Sequence, residues 1–372
     1  MDTANLPVLD LEGTPRERGR AHGEALRANI LELRAKYRDY VRAYYDLDPA
    51  EFYAGFRRYA DFLPTVRAHA PHLLEEAIGI AEGAGLDPDD VVYTQFGDEE
   101  WQYGFFHHEP AHPRQKCSSF GIVGEGTTYG GQNMDIPPMF DGHQILMRIR
   151  EPDGHVALVF SFAGMIGLNG INSSRLGLCC NSLNQLQPSR TGLPVAFIVR
   201  RLLEARSFAE AEAFLRAVPH ASGQNYLLSA PGRVGSFECS ALSVTECPGG
   251  AETGRICHTN HVLASSDLGA FQARIAALPE TERPTFNNSR QRLLSIAGRV
   301  EQGGAATLEA LRAALSAHDD PANPVSRTHR DVLGSPIGFT AGSMIYELGS
   351  PPRLHVAAGP PCETPWRTFD VE

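Results

Sequence analysis

The sequence predicts an α+β protein in which sheets are covered by helices, and three observations predict it. Before Cys117 the chain is rich in helix-forming residues, with apolar side chains at helical spacing. After Cys117 the pattern changes to short alternating runs broken by glycine and Asp-Gly turns, as antiparallel strands require. Those strand groups then alternate with pairs of helical segments, an arrangement that layers helices on sheets. At 372 residues the chain can hold two domains or one large one, with a sizeable core.

In chain order, the spacing of Leu26, Ile30, Leu33, Tyr37, Val41 and Tyr45 predicts one helix from Thr14 to about Leu47, with Pro15 in its first turn. A second opens at Asp48-Pro49 and runs through Phe52, Phe56 and Phe62 to Pro64, and a third spans Pro71 to Ala84 before the glycine stop signals. A fourth begins near Asp87-Pro88. Residues His107 to Lys116 carry two prolines and no periodicity, so they read as an exposed connector. Strands are expected at 118–123, 127–133, 144–150, 156–162 and 176–183, followed by helices at 193–205 and 209–218. Strands return at 226–229, 236–240 and 255–258, helices at 289–301 and 307–318, and closing strands at 343–348 and 354–358.

Composition narrows the function. The net charge of −11 argues against nucleic acid as a partner, because phosphate binding needs a basic face. No stretch approaches the length of apolar sequence a membrane span needs, and the first residues show no basic, apolar secretory pattern. Seven cysteines, an odd number without a CxxC pair, fit free thiols in a reducing compartment, so a cytoplasmic location is expected. No cofactor motif stands out.

Cys117 sits where the helical half gives way to strands. A cysteine is nucleophilic only as thiolate, so some base must take its proton. A histidine brought close by the fold is one solution, and none of the 14 histidines is marked for it. Cleavage of the peptide just before Cys117 is the other, since the freed α-amino group is a base with a pKa of about 7.7–8.0. An exposed connector followed by a strand suits the second solution.

The segment 116–135, KCSSFGIVGEGTTYGGQNMD, resembles the start of the mature large subunit in the acyl-CoA:6-aminopenicillanate acyltransferase family, peptidase family C45, which also includes β-alanyl-dopamine hydrolases. GTPRERGRAHGEAL and LLEEAIGIAEGAGLD upstream, then GLNGINSSRLGLCCNSLN, CHTNHV, GFTAGSMIYEL and HVAAGPPC downstream, are similar to family motifs in family order. The resemblance implies a four-layer αββα N-terminal-nucleophile hydrolase fold with a helical N-terminal segment. It implies division into a small subunit, residues 1–116, and a catalytic large subunit, residues 117–372.

By that resemblance Cys117 is the nucleophile exposed by self-cleavage, and Asp135 orients the new amine. Asn260 is the oxyanion-hole asparagine, and Arg327 supplies positive charge. Asn181 and Asn184 are reserve oxyanion donors, Ser240 matches a serine linked to processing, and His258 and His261 are candidates for supporting roles. Two departures stand out: Lys116 replaces the glycine common before the cysteine, and Pro336-Ile337 replaces a Ser-Arg pair found in some relatives. The implied activity is cleavage or transfer of the acyl group of a small N-acyl amide through a thioester acyl-enzyme, with acyl-CoA-dependent N-acyl transfer in secondary metabolism as the alternative. The implied partners are a small N-acyl amide or acyl thioester and the protein's own N-terminal fragment, with the oligomeric state left open. Two rivals belong to other classes: an unprocessed binding protein on the same fold, and a metal hydrolase using His107, His108 and His112.

Overall fold

The computed structural model describes residues 6–108, 117–283, 285–301, 304–328 and 338–372. A short strand, β1 (Val8–Leu11), precedes seven helices: α1 (Pro15–Ala25), α2 (Arg27–Tyr45), α3 (Pro49–Tyr59), α4 (Leu63–His69), α5 (Pro71–Ala84), α6 (Pro88–Thr94) and α7 (Gly97–His107). Next come β2 (Ser118–Val123), β3 (Thr128–Ile136), β4 (Gln144–Arg150), β5 (Val156–Phe162), β6 (Asn169–Asn172) and β7 (Gly177–Ser182). Helices α8 (Val195–Leu203) and α9 (Phe208–Ala217) lead to β8 (Gln224–Ala230), β9 (Arg233–Cys239) and β10 (Val244–Glu246). The short α10 (Gly250–Thr253), β11 (Arg255–His258), α11 (Gly269–Ala276), α12 (Asn287–Val300) and α13 (Leu308–Leu315) precede the closing β12 (Phe339–Glu347), β13 (Arg353–Ala357) and β14 (Arg367–Asp370).

The strands form two sheets, one in the order β1-β4-β5-β6-β7-β8-β9-β10 and one in the order β11-β2-β3-β12-β13-β14. Pairing is antiparallel throughout except between β1 and β4, which run parallel. Met134, Leu146, Leu158, Phe160, Leu227 and Met344 fill the space between the sheets. On the outer face of the larger sheet, Met147, Val159 and Leu228 meet Phe197 and Leu202 of α8 and Leu215 of α9. On the outer face of the smaller one, Phe120, Ile122 and Ile345 meet Ile296 of α12 and Leu311 of α13. The layers are therefore helix, sheet, sheet, helix, because each strand offers alternate side chains to the sheet and helix sides.

The N-terminal helices dock through one tight contact. Gly19 and Gly23 of α1 face Gly79 and Gly83 of α5, and a Cβ at Gly83 would lie 2.2 Å from the backbone oxygen of Arg20. Only glycine lets the two backbones approach this far. Beside them Glu76 of α5 is buried between Arg18 of α1 and Arg200 of α8, the latter donating at 2.9 Å. His22 accepts the backbone N–H of Gly164 at 3.0 Å through Nε2, so its imidazole is neutral there. Burial pushes it down to about 4.

Several sequence expectations need correction. The helix expected from Thr14 to Leu47 is two helices separated at Leu26, since α1 follows α5 while α2 turns away from it. Pro64 does not end a helix; it occupies the first turn of α4, where its missing N–H costs nothing. Strands β1 and β6 have no expectation behind them. β1 pairs with a strand distant in sequence, and β6 reads Asn-Gly-Ile-Asn, whose strand form is imposed by neighbours. Helix α7 runs to His107, so the connector begins later than expected. Among the described residues no helix is long and apolar enough to cross a membrane.

Candidate active site

Cys117 immediately precedes β2, a central strand whose Ser118 pairs with Asn133 of β3. Its side chain is 6 % exposed and lines a pocket of about 380 Å³. The backbone N–H of Asp135 and the side chain of Gln132 both bond to the sulfur. Burial, then the charge of Asp135, pushes the thiol up to about 12, against the opposing pull of those hydrogen bonds and of Arg292. The strongest influences on the sulfur, which are burial, Asp135, Arg292 and Gln132, include no histidine. As an internal residue, Cys117 is therefore a poor thiolate at neutral pH.

Asp135 is fully buried on β3, where its Oδ1 accepts the hydroxyl of Thr340, its register partner on β12, at 2.6 Å. Thr340 binds the Arg327 backbone in both directions, each at 2.9 Å, and Nε of Arg327 donates to Gly338 O at 3.1 Å. Arg327 is thus brought to the Asp135 side of the site, 4 % exposed, and its Nη1 has no hydrogen-bond partner among the described residues.

Asn260 follows β11, whose His258 pairs with Ser119 of β2. Its Nδ2 donates to Ser182 O at 3.0 Å, one of the amide's two donor bonds, and its backbone N–H donates to Ser289 Oγ at 2.8 Å. Its Oδ1 accepts Nη2 of Arg292 at 3.0 Å. Arg292, on α12, also donates through Nη1 to Cys117 O at 2.6 Å and Ser118 Oγ at 2.8 Å, and through Nε to Asn288 Oδ1 at 2.9 Å. One guanidinium with no exposed surface thereby spans Cys117 and Asn260. Burial lowers it to about 10, and neighbouring Arg327 adds to the fall. Because an arginine only donates, the atom of Asn260 facing it is the carbonyl oxygen, and the amide's NH2 end is fixed on the other side.

Arg292 is absent from the sequence reading, and Gln132 and Thr340 stand there only within motifs, with no role assigned. Arg292 sits in an arginine-rich, amphipathic stretch like any exposed helix face, and only burial distinguishes it. The secondary candidates have other employment. Asn181 accepts Ser119 Oγ at 2.6 Å, Asn184 accepts Ser182 Oγ at 3.0 Å, and Ser240 holds the turn after β9 by accepting two backbone N–H groups.

His258 points Nδ1 at Thr259 O, 2.7 Å, and Nε2 at Glu238 Oε1, 2.8 Å. Both contacts are to acceptor oxygens, and they fix the buried ring between Thr259 and Glu238. Glu238 stays below the usual carboxylate range despite its burial, because His258 and backbone N–H groups bond to it. Its oxygens also accept the N–H groups of Leu263, Ala264 and Ser265, which pins the turn beyond Asn260. With Cys247 this pair has metal-like spacing. Its lone pairs are already spent on hydrogen bonds, so it fits a metal poorly. Of the histidines in the metal alternative, His107 and His108 pack against the Tyr103 ring, one tilted and one edge-on, and His112 lies outside the described residues, as does Lys116.

The pocket is walled by helices α2, α3, α6 and α7 on one side and by strand residues on the other. Tyr37, Tyr53, Trp101, Phe140, Phe162 and Met165 give it an aromatic, apolar character. Tyr37 donates to Glu100 Oε1 at 2.7 Å and accepts Trp101 Nε1 at 2.8 Å, which sets the rings in place.

A model of the family described as acyl-coenzyme A:6-aminopenicillanic acid acyl-transferase matches residues 123–332, a span that holds Asp135, Asn260, Arg292 and Arg327 and begins after Cys117. Among curated proteins, the acyl-coenzyme A:6-aminopenicillanic-acid-acyltransferase 40 kDa form of Emericella nidulans is 28% identical over 273 residues, 73% of this chain and 72% of that protein. Among solved structures, penicillin V acylase from Agrobacterium tumefaciens aligns with a TM-score of 0.42 and 12% identity, covering 68% of this chain and 86% of that one. A mutant of conjugated bile acid hydrolase from Clostridium perfringens aligns with a TM-score of 0.41 and 11% identity, covering 68% and 96%.

Proposed function

The chain belongs to the acyl-coenzyme A:6-aminopenicillanic acid acyl-transferase family, and from that premise we propose that it is a self-processing cysteine enzyme that cleaves or transfers the acyl group of a small N-acyl amide. The Cys117 thiol attacks the carbonyl carbon of residue 116, the acyl chain shifts from nitrogen to sulfur, and water hydrolyses the thioester. Residues 1–116 remain as one piece, and Cys117 begins the other with a free α-amino group.

In turnover that amine takes the thiol proton as sulfur attacks the substrate carbonyl, and Asp135 stabilises the resulting ammonium. The free N–H of Asn260 Nδ2 binds the developing oxyanion, a contribution of about 2.7–4 kcal/mol for such a donor. The ammonium returns its proton to the departing amine, leaving an S-acyl enzyme. Water, or an acceptor amine, then takes the acyl group. Arg327 supplies positive charge on the Asp135 side of the site, to which Thr340 links it.

The observation that carries this reading is the Arg292 bridge, which ties the backbone of Cys117, a residue lining the apolar pocket, and the Asn260 amide to one buried group. That the strongest influences on the sulfur include no histidine supports an amine as the base. Transfer from an acyl-CoA donor is the second reading, favoured by the Emericella nidulans relative, and it uses the same acyl-enzyme.

Intact-mass analysis before and after incubation with N-acyl amides tests the proposal. The expected result is two pieces, 1–116 and 117–372, with an acyl mass added to the second. Cys117→Ala abolishes both scission and adduct. An active protein that remains one piece overturns the amine base. A protein that is uncut and inert supports a binding role on the same fold.

A further inference from the structure

The carboxylate that serves the amine in the proposed mechanism is held by a hydroxyl on the neighbouring strand. Asp135 and Thr340 are register partners on β3 and β12, so their side chains share one face of the smaller sheet. Directly after Thr340 the pairing shifts, with Ala341 as the extra residue of a bulge. Gln144 of β4, in the other sheet, holds that bulge by donating to Ala341 O at 3.0 Å. A bulge at such a place re-aims the side chain beside it. Gly338 lets the chain enter β12 hard against β3, because a Cβ there would lie 2.2 Å from Ile136 O.

The bonds at Thr340 fix where its proton goes. Its Oγ accepts the N–H of Arg327 at 2.9 Å and lies 2.6 Å from Asp135 Oδ1. An ionised carboxylate only accepts, so the hydroxyl donates to Asp135. The N–H of Thr340 donates in return to Arg327 O at 2.9 Å. Asn133, two residues before Asp135 on β3, donates through Nδ2 to Leu315 O at 2.7 Å and Val325 O at 2.9 Å, which ties the Arg327 segment to the same strand. Asp135, Thr340 and Asn133 have no exposed surface, so water does not compete for these bonds. The charge and the backbone N–H of Asp135 both act on the Cys117 sulfur. The other charged or titratable groups near it include Arg292 of α12, Cys179 and Cys180 of β7, and Asp98 of α7 in the same pocket lining. Burial keeps both β7 thiols protonated near neutral pH.

We propose that Thr340 is a positioning residue, whose hydroxyl fixes the rotation of the Asp135 carboxylate and thereby sets the pH at which the Cys117 amine acts as base. The proposal rests on the reading of Cys117 as a self-released N-terminal nucleophile. An aimed carboxylate favours the ammonium form of that amine, and a carboxylate free to turn favours it less. Thr340 itself touches neither the sulfur nor the substrate; it acts through Asp135.

Thr340→Val keeps the shape of the side chain and removes the hydroxyl, and Thr340→Ser restores it. On an N-acyl amide, Thr340→Val is expected to lower kcat about ten- to a hundredfold, with KM within about twofold of the parent. The acid limb of its kcat/KM profile should move to lower pH by about half a pH unit or more. Thr340→Ser recovers most of kcat and the parental limb. Where Thr340→Val does not fold, Thr340→Cys takes its place, since a thiol of similar size is a weak donor and the same losses are expected. A folded Thr340→Val or Thr340→Cys protein with parental kcat and acid limb overturns the proposal. So does a Thr340→Ser protein as impaired as Thr340→Val, because packing of the methyl group would then be the cause. Alkylation of Cys117 by iodoacetamide, followed by mass at that residue, needs neither turnover nor cleavage. The charge of Asp135 presses the thiol up, so loosening it in Thr340→Val should speed alkylation at a fixed, mildly alkaline pH by about threefold or more, and Thr340→Ser should not. That result in a chain that stays uncut supports the positioning role, and the failure then falls on the amine base alone. An unchanged rate overturns the role, cut or uncut.

Discussion

Replacing Arg292 with Met keeps most of the side-chain volume and removes every donor. Three buried acceptors, Asn260 Oδ1, Cys117 O and Ser118 Oγ, and the half-buried Asn288 Oδ1 then lose a partner. A buried acceptor left unpaired costs about 1–3 kcal/mol, while the variant no longer bears the desolvation that lowers this guanidinium to about 10. The balance is a loss of about 3–5 kcal/mol of stability, the range seen when one member of a buried charged network is removed. The catalytic effect has a different origin. With its oxygen unheld, the Asn260 amide is held only by its bond to Ser182 O and loses its fixed aim, and losing an oxyanion donor costs about 10²–10³ in kcat. KM changes little, because Arg292 is not among the residues lining the pocket. The assay is kcat and KM on an N-acyl amide, together with the thermal midpoint. Arg292→Lys is expected to recover part of the stability and little of kcat, since an ammonium cannot serve acceptors spread around a planar fork. The double variant with Asn260→Ala should be no slower than Asn260→Ala alone. A folded Arg292→Met protein with kcat within about threefold of the parent would refute this reasoning, as would losses that simply multiply in the double variant.

Acid should destabilise the protein between the ordinary histidine range and pH 4. His22 and His220 are buried and each pushed down to about 4 by desolvation, so the unfolded chain binds more protons in that window. Their contribution is present above pH 6.5 and lost toward pH 4, at most about 3 kcal/mol each, and urea midpoints at pH 4.5 and 7 measure it. A midpoint that does not move with pH contradicts the assignment. Gly83→Ala should cost several kcal/mol, on the order of an overpacked core, because its Cβ would lie 2.2 Å from the Arg20 backbone oxygen. The same change at Gly126 should be far milder, since nothing lies within 4 Å of a Cβ there and only its φ of +83° opposes it. Thermal unfolding compares the two.

Where local pattern and tertiary demand agree, the elements were legible in the sequence. Helix α5 and strands β2, β4, β5 and β11 have the expected limits, because their apolar periodicity and turn residues point to the same structure. The prominence of Cys117 was legible too, at the change from helical to strand pattern. Gly19, Gly23, Gly79 and Gly83, by contrast, stood in the two upstream motifs with no role assigned, and only the structure shows that they bring the backbones of α1 and α5 together.

What needed the folded chain was everything that depends on residues distant in sequence meeting in a dry interior. Arg292 looks like a surface arginine until α12 is laid on the smaller sheet, and then it is the link between Cys117 and Asn260. The spacing of side chains along one element is written locally, so sequence alone sets helices, strands and the place of the thiol. Burial is a property of the assembled layers, and it alone decides which of many arginines, glutamines and carboxylates act on that thiol.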